Sequence, residues 1–133
     1  MSVALYIVPE RDIPGLDFSV SGKALGSVED TTIDKLCERA GAPSLYEFSS
    51  HDPEETAALL EELGEDVPDD MPETTWFDAK EGLNAVCQLK LYLESSNEKL
   101  KDRAGILSDL TEFEKVLSQL AENNLRWYLA VDF

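Results

Sequence analysis

The sequence predicts an α+β domain in which a small sheet, including the N- and C-terminal strands, packs against about four helices. An apolar run at 3–8 begins the chain, and an alternating pattern at 125–133 ends it. Between these two segments, apolar residues recur at helical spacing. With 133 residues, 43% of them hydrophobic, the chain is expected to form one domain, 1–133, around one core.

The first 20 residues predict one or two strands. The run 3–8 is continuous and rich in β-branched residues, which is typical of a strand buried on both faces or nearly so. Turns are expected at 14–15 and 21–22, where Pro-Gly and Ser-Gly pairs occur. Phe18 and Val20, between these turns, indicate a short edge strand.

The first predicted helix begins near Thr31 or Thr32, either of which can cap its N-terminus, and it ends at Gly41. One face carries its apolar residues, which are Ile33, Leu36, Cys37 and Ala40. The segment 45–48 that follows fits either a short strand or a packed connector.

The second predicted helix has a strong N-terminal signal. Asp52 can accept hydrogen bonds from first-turn amides, Pro53 suits the first helical position, and Glu55 completes a capping box. The apolar face of this helix is expected to consist of Leu59, Leu60 and Leu63.

Two further helices are predicted by capping-box spacing. Asp78 with Glu81 precedes a helix with a broad apolar arc, which is expected to be the most buried helix. Its apolar residues are Leu83, Val86, Cys87, Leu89, Leu91 and Leu93. Thr111 with Glu114 indicates the start of the last helix, and the pair 123–124, two asparagines, indicates its end.

The last nine residues predict a strand that pairs with the N-terminal strand. Its two faces alternate with period 2. Helices are expected to cover the face that carries Trp127, Leu129 and Val131. The opposite face carries Arg126, Tyr128, Ala130 and Asp132.

The net charge of −17 restricts the class of partner. Residues 52–81 contain twelve carboxylates and a single base, Lys80. Such a surface repels nucleic acid and anionic membranes, and it favours a basic protein surface. There is no apolar stretch long enough to span a membrane, and 1–8 lacks the basic start of a signal peptide. We therefore expect a cytoplasmic protein, in which Cys37 and Cys87 are unpaired, buried thiols.

No catalytic residue, cofactor or metal site is predicted. His51 is the only histidine and immediately precedes a helix cap, which is typical of a surface loop. The segment 66–70 does not have the spacing of an EF-hand. Gly22, Lys23 and Gly26 lack the spacing of a phosphate-binding loop.

The sequence therefore favours a non-enzymatic interaction module, such as an adaptor, inhibitor or immunity-type protein. The acidic stretch is either a solvated helix face and loop that gives solubility or a docking surface for a basic partner. The predicted contact residues of that docking surface are Asp66, Asp69, Asp70, Glu73 and Trp76. Trp76 and its neighbour Phe77 are either an exposed anchor or ordinary packing. The alternative is a small-molecule-binding or enzymatic domain with a pocket assembled from Tyr6, His51, Trp76 and Arg126.

Overall fold

The computed structural model describes residues 4–17, 20, 22–50, 52–67 and 73–132. It confirms the α+β class and the pairing of the two terminal strands. In chain order the elements are β1 (Ala4–Pro9), α1 (Lys23–Gly26), α2 (Asp30–Ala40), a 3₁₀ helix (Leu45–Phe48), α3 (Pro53–Glu62), β2 (Phe77–Asp78), α4 (Ala79–Ser95), α5 (Arg103–Glu122) and β3 (Arg126–Asp132). No helix among the described residues is long and apolar enough to cross a membrane.

The sheet has three antiparallel strands in the order β1-β3-β2. β1 pairs with β3 along its whole length, from Ala4 opposite Asp132 to Pro9 opposite Trp127. β2 pairs only with Trp127 and Arg126, so it covers one end of the second edge of β3. The prediction that β1 is buried on both faces is wrong, because Tyr6 is 38% exposed.

One face of the sheet, which we call the inner face, packs against the α4–α5 pair. Trp127, Leu129 and Leu5 are completely buried there, together with Phe113 of α5 and Leu89 of α4. Period-2 alternation therefore identified the core side of β3 correctly, although Val131 is only half-buried. α5 carries more buried side chains than α4, contrary to the expectation for α4, and Leu91 of α4 is 65% exposed.

Several helix ends agree with the local signals. Asp52 and Asp78 accept hydrogen bonds from Glu54 N–H and Lys80 N–H, both at 2.9 Å, and so cap α3 and α4. Gly41, with φ +75°, closes α2 in the left-handed conformation that glycine adopts without strain. Asn124, with φ +55°, ends α5 in the same way.

Two predicted helix starts are wrong. α2 begins at Asp30 without a side-chain cap, so Thr31 and Thr32 already lie inside it. α5 begins eight residues before Thr111, where Asp102 caps it through Gly105 N–H. The Thr111 hydroxyl instead donates to the Leu107 carbonyl four residues earlier, which is how threonine is accommodated inside a helix.

The packing of two further segments can be compared with its prediction. For the segment 45–48, a short strand and a packed connector were the alternatives, and the structure shows the connector, a 3₁₀ helix with Leu45 and Phe48 buried. α3 has no buried residue, and its predicted apolar face is largely in solvent, since Leu59 and Leu63 are 55% and 66% exposed. Val20 lies outside any strand, and Phe18 lies outside the described residues.

Candidate functional site

The second face of the sheet, which we call the outer face, is formed by the even-numbered residues of β1 and β3. Antiparallel register places Tyr6 opposite Ala130 and Val8 opposite Tyr128. Because side chains alternate along a strand, these four side chains share one face. Tyr128 and Ala130 are only 5% and 8% exposed, whereas Tyr6 is 38% exposed, so this face is covered at β3 and more open at β1.

A groove of about 360 Å³ lies between the outer face and α3, and we call it the acid–aromatic groove. The sheet contributes Tyr6, Val8, Tyr128 and Ala130 to its wall. The first turns of α3 and its cap contribute Asp52, Glu55, Thr56 and Leu59. The lining contains no lysine or arginine.

The chain before α3 is attached to the edge of β3 that β2 leaves open. Ser49 forms a parallel bridge with Leu129, and Ser50 N–H donates to the Leu129 carbonyl at 3.3 Å. The Ser50 hydroxyl accepts from Thr75 N–H at 2.8 Å, which brings the segment before β2 to the same place. Asp52 lies two residues after Ser50, so the start of α3 is held beside the outer face.

Trp76 and Phe77 are adjacent in sequence but pack in different places. Phe77 contacts the core, with its ring centroid 5.5 Å from that of Phe48. The Trp76 ring is half-buried and lies 5.3 Å from the Tyr128 ring at an interplanar angle of 59°. Of the two predicted alternatives, core packing holds for Phe77, whereas Trp76 packs on Tyr128, which is a lining residue of the acid–aromatic groove.

The groove has a negative electrostatic environment. Burial raises the pKa of the Tyr128 hydroxyl, and the carboxylates of Glu55 and Asp52 raise that pKa further. Among the described residues, three ion pairs occur, and none of them involves an acid from 52–81. Hence no described base compensates the carboxylates at the groove.

The predicted contact residues lie near this groove only in part. Asp66, beyond the end of α3, and Glu73 are both exposed. Asp69 and Asp70 lie outside the described residues. The described residues contain no group of three or more His, Cys, Asp or Glu side chains that could hold a metal ion.

The alternative pocket is assembled only in part. Tyr6 lines the acid–aromatic groove and Trp76 packs at Tyr128. Arg126 is engaged elsewhere, since its guanidinium donates to the Glu10 carboxylate at 3.0 and 3.1 Å. His51 lies outside the described residues.

The segment that resembled a phosphate loop has an internal ligand. Ala24 N–H and Leu25 N–H, at the start of α1, donate to one carboxylate oxygen of Asp109 at 2.9 and 3.1 Å. Asp109 is a buried residue of α5, 5% exposed. A carboxylate of the protein thus occupies the two amides that an anion would need.

A second acidic hollow, of about 470 Å³, lies between α2 and the 3₁₀ helix. Asp34, Glu38 and Glu47 line it, and Tyr46 is the one aromatic residue of its lining. It resembles the acid–aromatic groove in charge but lacks the paired rings and the sheet wall.

No family model matches this chain, and no match was found among the curated proteins or among the solved structures. Of the wall residues, Tyr128 is not among the contact residues predicted from the sequence, and Tyr6 is predicted only as part of the alternative pocket. The alternating pattern of β3 contained the relevant signal, because it placed Tyr128 away from the core.

Proposed function

We propose that this chain is a non-enzymatic interaction module that binds a basic surface of a partner protein. One observation carries the proposal: aromatic rings and carboxylates line the acid–aromatic groove, and its lining contains no base. Aromatic side chains supply contact area and energy at interfaces, and carboxylates select positive charge. The same charge disfavours nucleic acid and anionic membranes as partners.

The acidic stretch 52–81 and the groove have different roles in this proposal. Asp66, Asp69, Asp70 and Glu73 attract the basic partner at long range and so increase the association rate. Trp76, half-buried against Tyr128, is an anchor that slows dissociation once the complex has formed. We place the module in the cytoplasm, which is supported by its two free cysteines, Cys37 and Cys87.

The test begins with isolation of partners from the native cell at low and at high salt. A fourfold variant, D66N/D69N/D70N/E73Q, is then compared with the wild type against each purified partner. The expected result is a slower association rate, a weaker salt dependence and unchanged or slightly higher fold stability. Trp76→Ala is expected to act mainly by faster dissociation, and Trp76→Phe to restore much of the lifetime.

A matched control separates a local effect from net charge. The variant D34N/E38Q/E94Q/E122Q removes the same four charges from exposed positions on α2, α4 and α5. It should reduce the association rate less than the first variant does. Equal association rates for the wild type and D66N/D69N/D70N/E73Q, with the same salt dependence, would show that 52–81 is only a solvated surface.

A further inference from the structure

We propose that the acid–aromatic groove receives one arginine side chain of the basic partner, with the guanidinium placed between the aromatic rings and the carboxylates of Asp52 and Glu55. This inference rests on the proposed function, because it specifies how the partner is recognised. It adds a ligand chemistry and a location to what would otherwise be attraction between two charged surfaces.

Hydrogen-bonding capacity is the first reason. The polar side chains of the groove offer acceptors: the carboxylates of Asp52 and Glu55 and the hydroxyls of Ser50, Thr56 and Tyr128. Asp52 caps α3 through Oδ1, and among the described residues no hydrogen bond engages its second oxygen. A guanidinium has five donors and no acceptor, in a planar fork that matches a carboxylate.

The hydroxyl of Tyr128 is the second reason. Its side chain is 5% exposed and lines the groove, where the carboxylates of Glu55 and Asp52 raise its pKa together with burial. The oxygen of a tyrosine hydroxyl accepts hydrogen bonds. A donor that enters the groove can therefore bind this hydroxyl and the carboxylates together.

The rings are the third reason. Tyr6 and Tyr128 line the groove, and the Trp76 ring packs on Tyr128 with centroids 5.3 Å apart and a tilt of 59°. Aromatic faces attract cations, and arginine stacks on them more readily than lysine because its planar cation is more weakly hydrated. Arginine is therefore preferred to lysine here.

The size of the groove fits a side chain rather than a whole domain. Its volume of about 360 Å³ is near the lower end of the range for small-ligand sites, roughly 300–1,000 Å³. The hollow at Asp34 and Glu38 is also acidic, but Tyr46 is its one aromatic lining residue, and we expect it to bind arginine more weakly.

The test is a ¹H–¹⁵N NMR titration of the whole chain with the peptide Ac-Gly-Arg-Gly-NH₂. The matched control peptide contains citrulline, which has the shape of arginine without its charge. We expect the arginine peptide to shift the Trp76 indole N–H and the backbone amides of Ser50, Thr56 and Tyr128 in a saturable manner. The Trp127 indole is buried and donates to the Asp78 carbonyl at 3.3 Å, so it is an internal reference that should move little.

Variants then assign the binding to the groove. D52N/E55Q removes two charges, while the asparagine at position 52 can still cap α3. This variant should raise the apparent Kd at least about fivefold. D34N/E38Q removes the same charge from the other acidic hollow and should change the Kd less than about twofold. Tyr128→Phe, which retains the ring and removes the hydroxyl, should weaken binding by a smaller factor than D52N/E55Q.

Each outcome decides the inference. Equal shifts with the citrulline peptide, equal losses in D52N/E55Q and D34N/E38Q, or shifts confined to residues outside the groove would each overturn it. The proposed function has a separate readout: slower association of a purified partner with D66N/D69N/D70N/E73Q. If that slowing is observed while the arginine peptide leaves the groove unshifted, the arginine site is wrong and the interaction module stands.

Discussion

The two faces of β3 bury similar amounts of side chain in different ways. On the inner face, Trp127 and Leu129 are completely buried against long helices with apolar stripes. On the outer face, Tyr128 and Ala130 are nearly as buried, but the helix beside them, α3, has no buried residue. The inner face is closed by packing, whereas the outer face is bounded by a groove with acidic residues.

This difference shows that low exposure does not by itself identify the core. The Trp127 ring is enclosed by Phe48, with centroids 5.2 Å apart, and its indole has a hydrogen-bond acceptor. The Tyr128 ring contacts a half-buried tryptophan and lines a groove that also contains Asp52 and Glu55. Variants on the two faces should therefore differ in whether they reduce stability or binding.

The largest expected effect distinguishes the two tryptophans. Trp127→Ala should lower the free energy of unfolding by about 3–5 kcal/mol, because it leaves a cavity in a closely packed core. Trp76→Ala should lower it by only about 1 kcal/mol, since that ring is half-exposed. Denaturant melts of both variants provide the measurement. A loss below about 1 kcal/mol for Trp127→Ala would mean that the inner face is not the core.

A smaller effect on the free energy of unfolding is expected at Gly82, where α4 passes close to the inner face. A Cβ atom at Gly82 would lie 2.4 Å from the Trp127 ring. Alanine favours a helix over glycine by about 1 kcal/mol, whereas overpacking costs typically 1–3 kcal/mol and occasionally more. Because the ring is completely enclosed, we expect overpacking to dominate in Gly82→Ala, with a net loss of about 1–2 kcal/mol in denaturant melts.

Two further variants test the cause of that loss. Asn84→Ala, at an exposed position of the same helix, should change stability by about 0.5 kcal/mol or less. Trp127→Phe should recover part of the loss when combined with Gly82→Ala, because the smaller ring leaves room for the added methyl group. Additive losses in the double variant would argue against a direct clash.

Local signals in the sequence predicted much of this fold. The caps Asp52 and Asp78, the exit at Asn124 and the alternation of β3 each depend on a few neighbouring residues. The same kind of signal failed at Thr111, because helix α5 extends through that position and capping chemistry alone does not exclude an internal threonine.

The features that were not predicted depend on contacts between distant parts of the chain. Asp109 accepts hydrogen bonds from two amides of α1 that lie 84 and 85 residues away in the sequence. Gly82 leaves space for the Trp127 ring of β3, which a side chain at this position would contact too closely. The candidate site is of this kind, because Tyr6, Asp52 and Tyr128 come from three elements. The acidic stretch indicated the charge of the site, but only the sheet register placed aromatic rings beside it.

Added salt is expected to stabilise the fold slightly, because it screens the repulsion among the carboxylates of 52–81. The Debye length falls from about 30 Å at 0.01 M salt to about 10 Å at 0.1 M. The described acids of 52–81 have no ion-pair partner among the described residues, so screening should relieve more repulsion than it weakens attraction. The melting temperature should rise over this range, and less so in D52N/E55Q. A flat or falling melting temperature would indicate acids that are already paired or bound to cations.

The smallest expected effect concerns the ion pair between Glu10 and Arg126, which joins the ends of β1 and β3. The Glu10 carboxylate accepts from the backbone N–H and the guanidinium of Arg126, and the side-chain hydrogen bond is the main cause of its lowered pKa. Because the folded-state pKa is lower than the unfolded-state value, this contribution is present above the unfolded pKa, about 4.3, and is lost as the pH falls through the folded pKa.

Glu10→Gln should therefore lower stability at pH 7 by less than about 1 kcal/mol, the usual range for an exposed pair. The effect is small because Glu10 N–H also donates to the Arg126 carbonyl at 3.0 Å, and the variant retains that backbone hydrogen bond. The difference from the wild type should narrow as the pH falls below the unfolded pKa and through the lowered folded pKa, because Glu10 is protonated first in the unfolded state and then in the folded state. Glu98 also has a lowered pKa, from Tyr92 and Arg39, but its titration occurs in both proteins and cancels in the difference. Denaturant melts at pH 7 and pH 3 test this, and a difference that widens in acid would show that the carboxylate does not stabilise the strand pair.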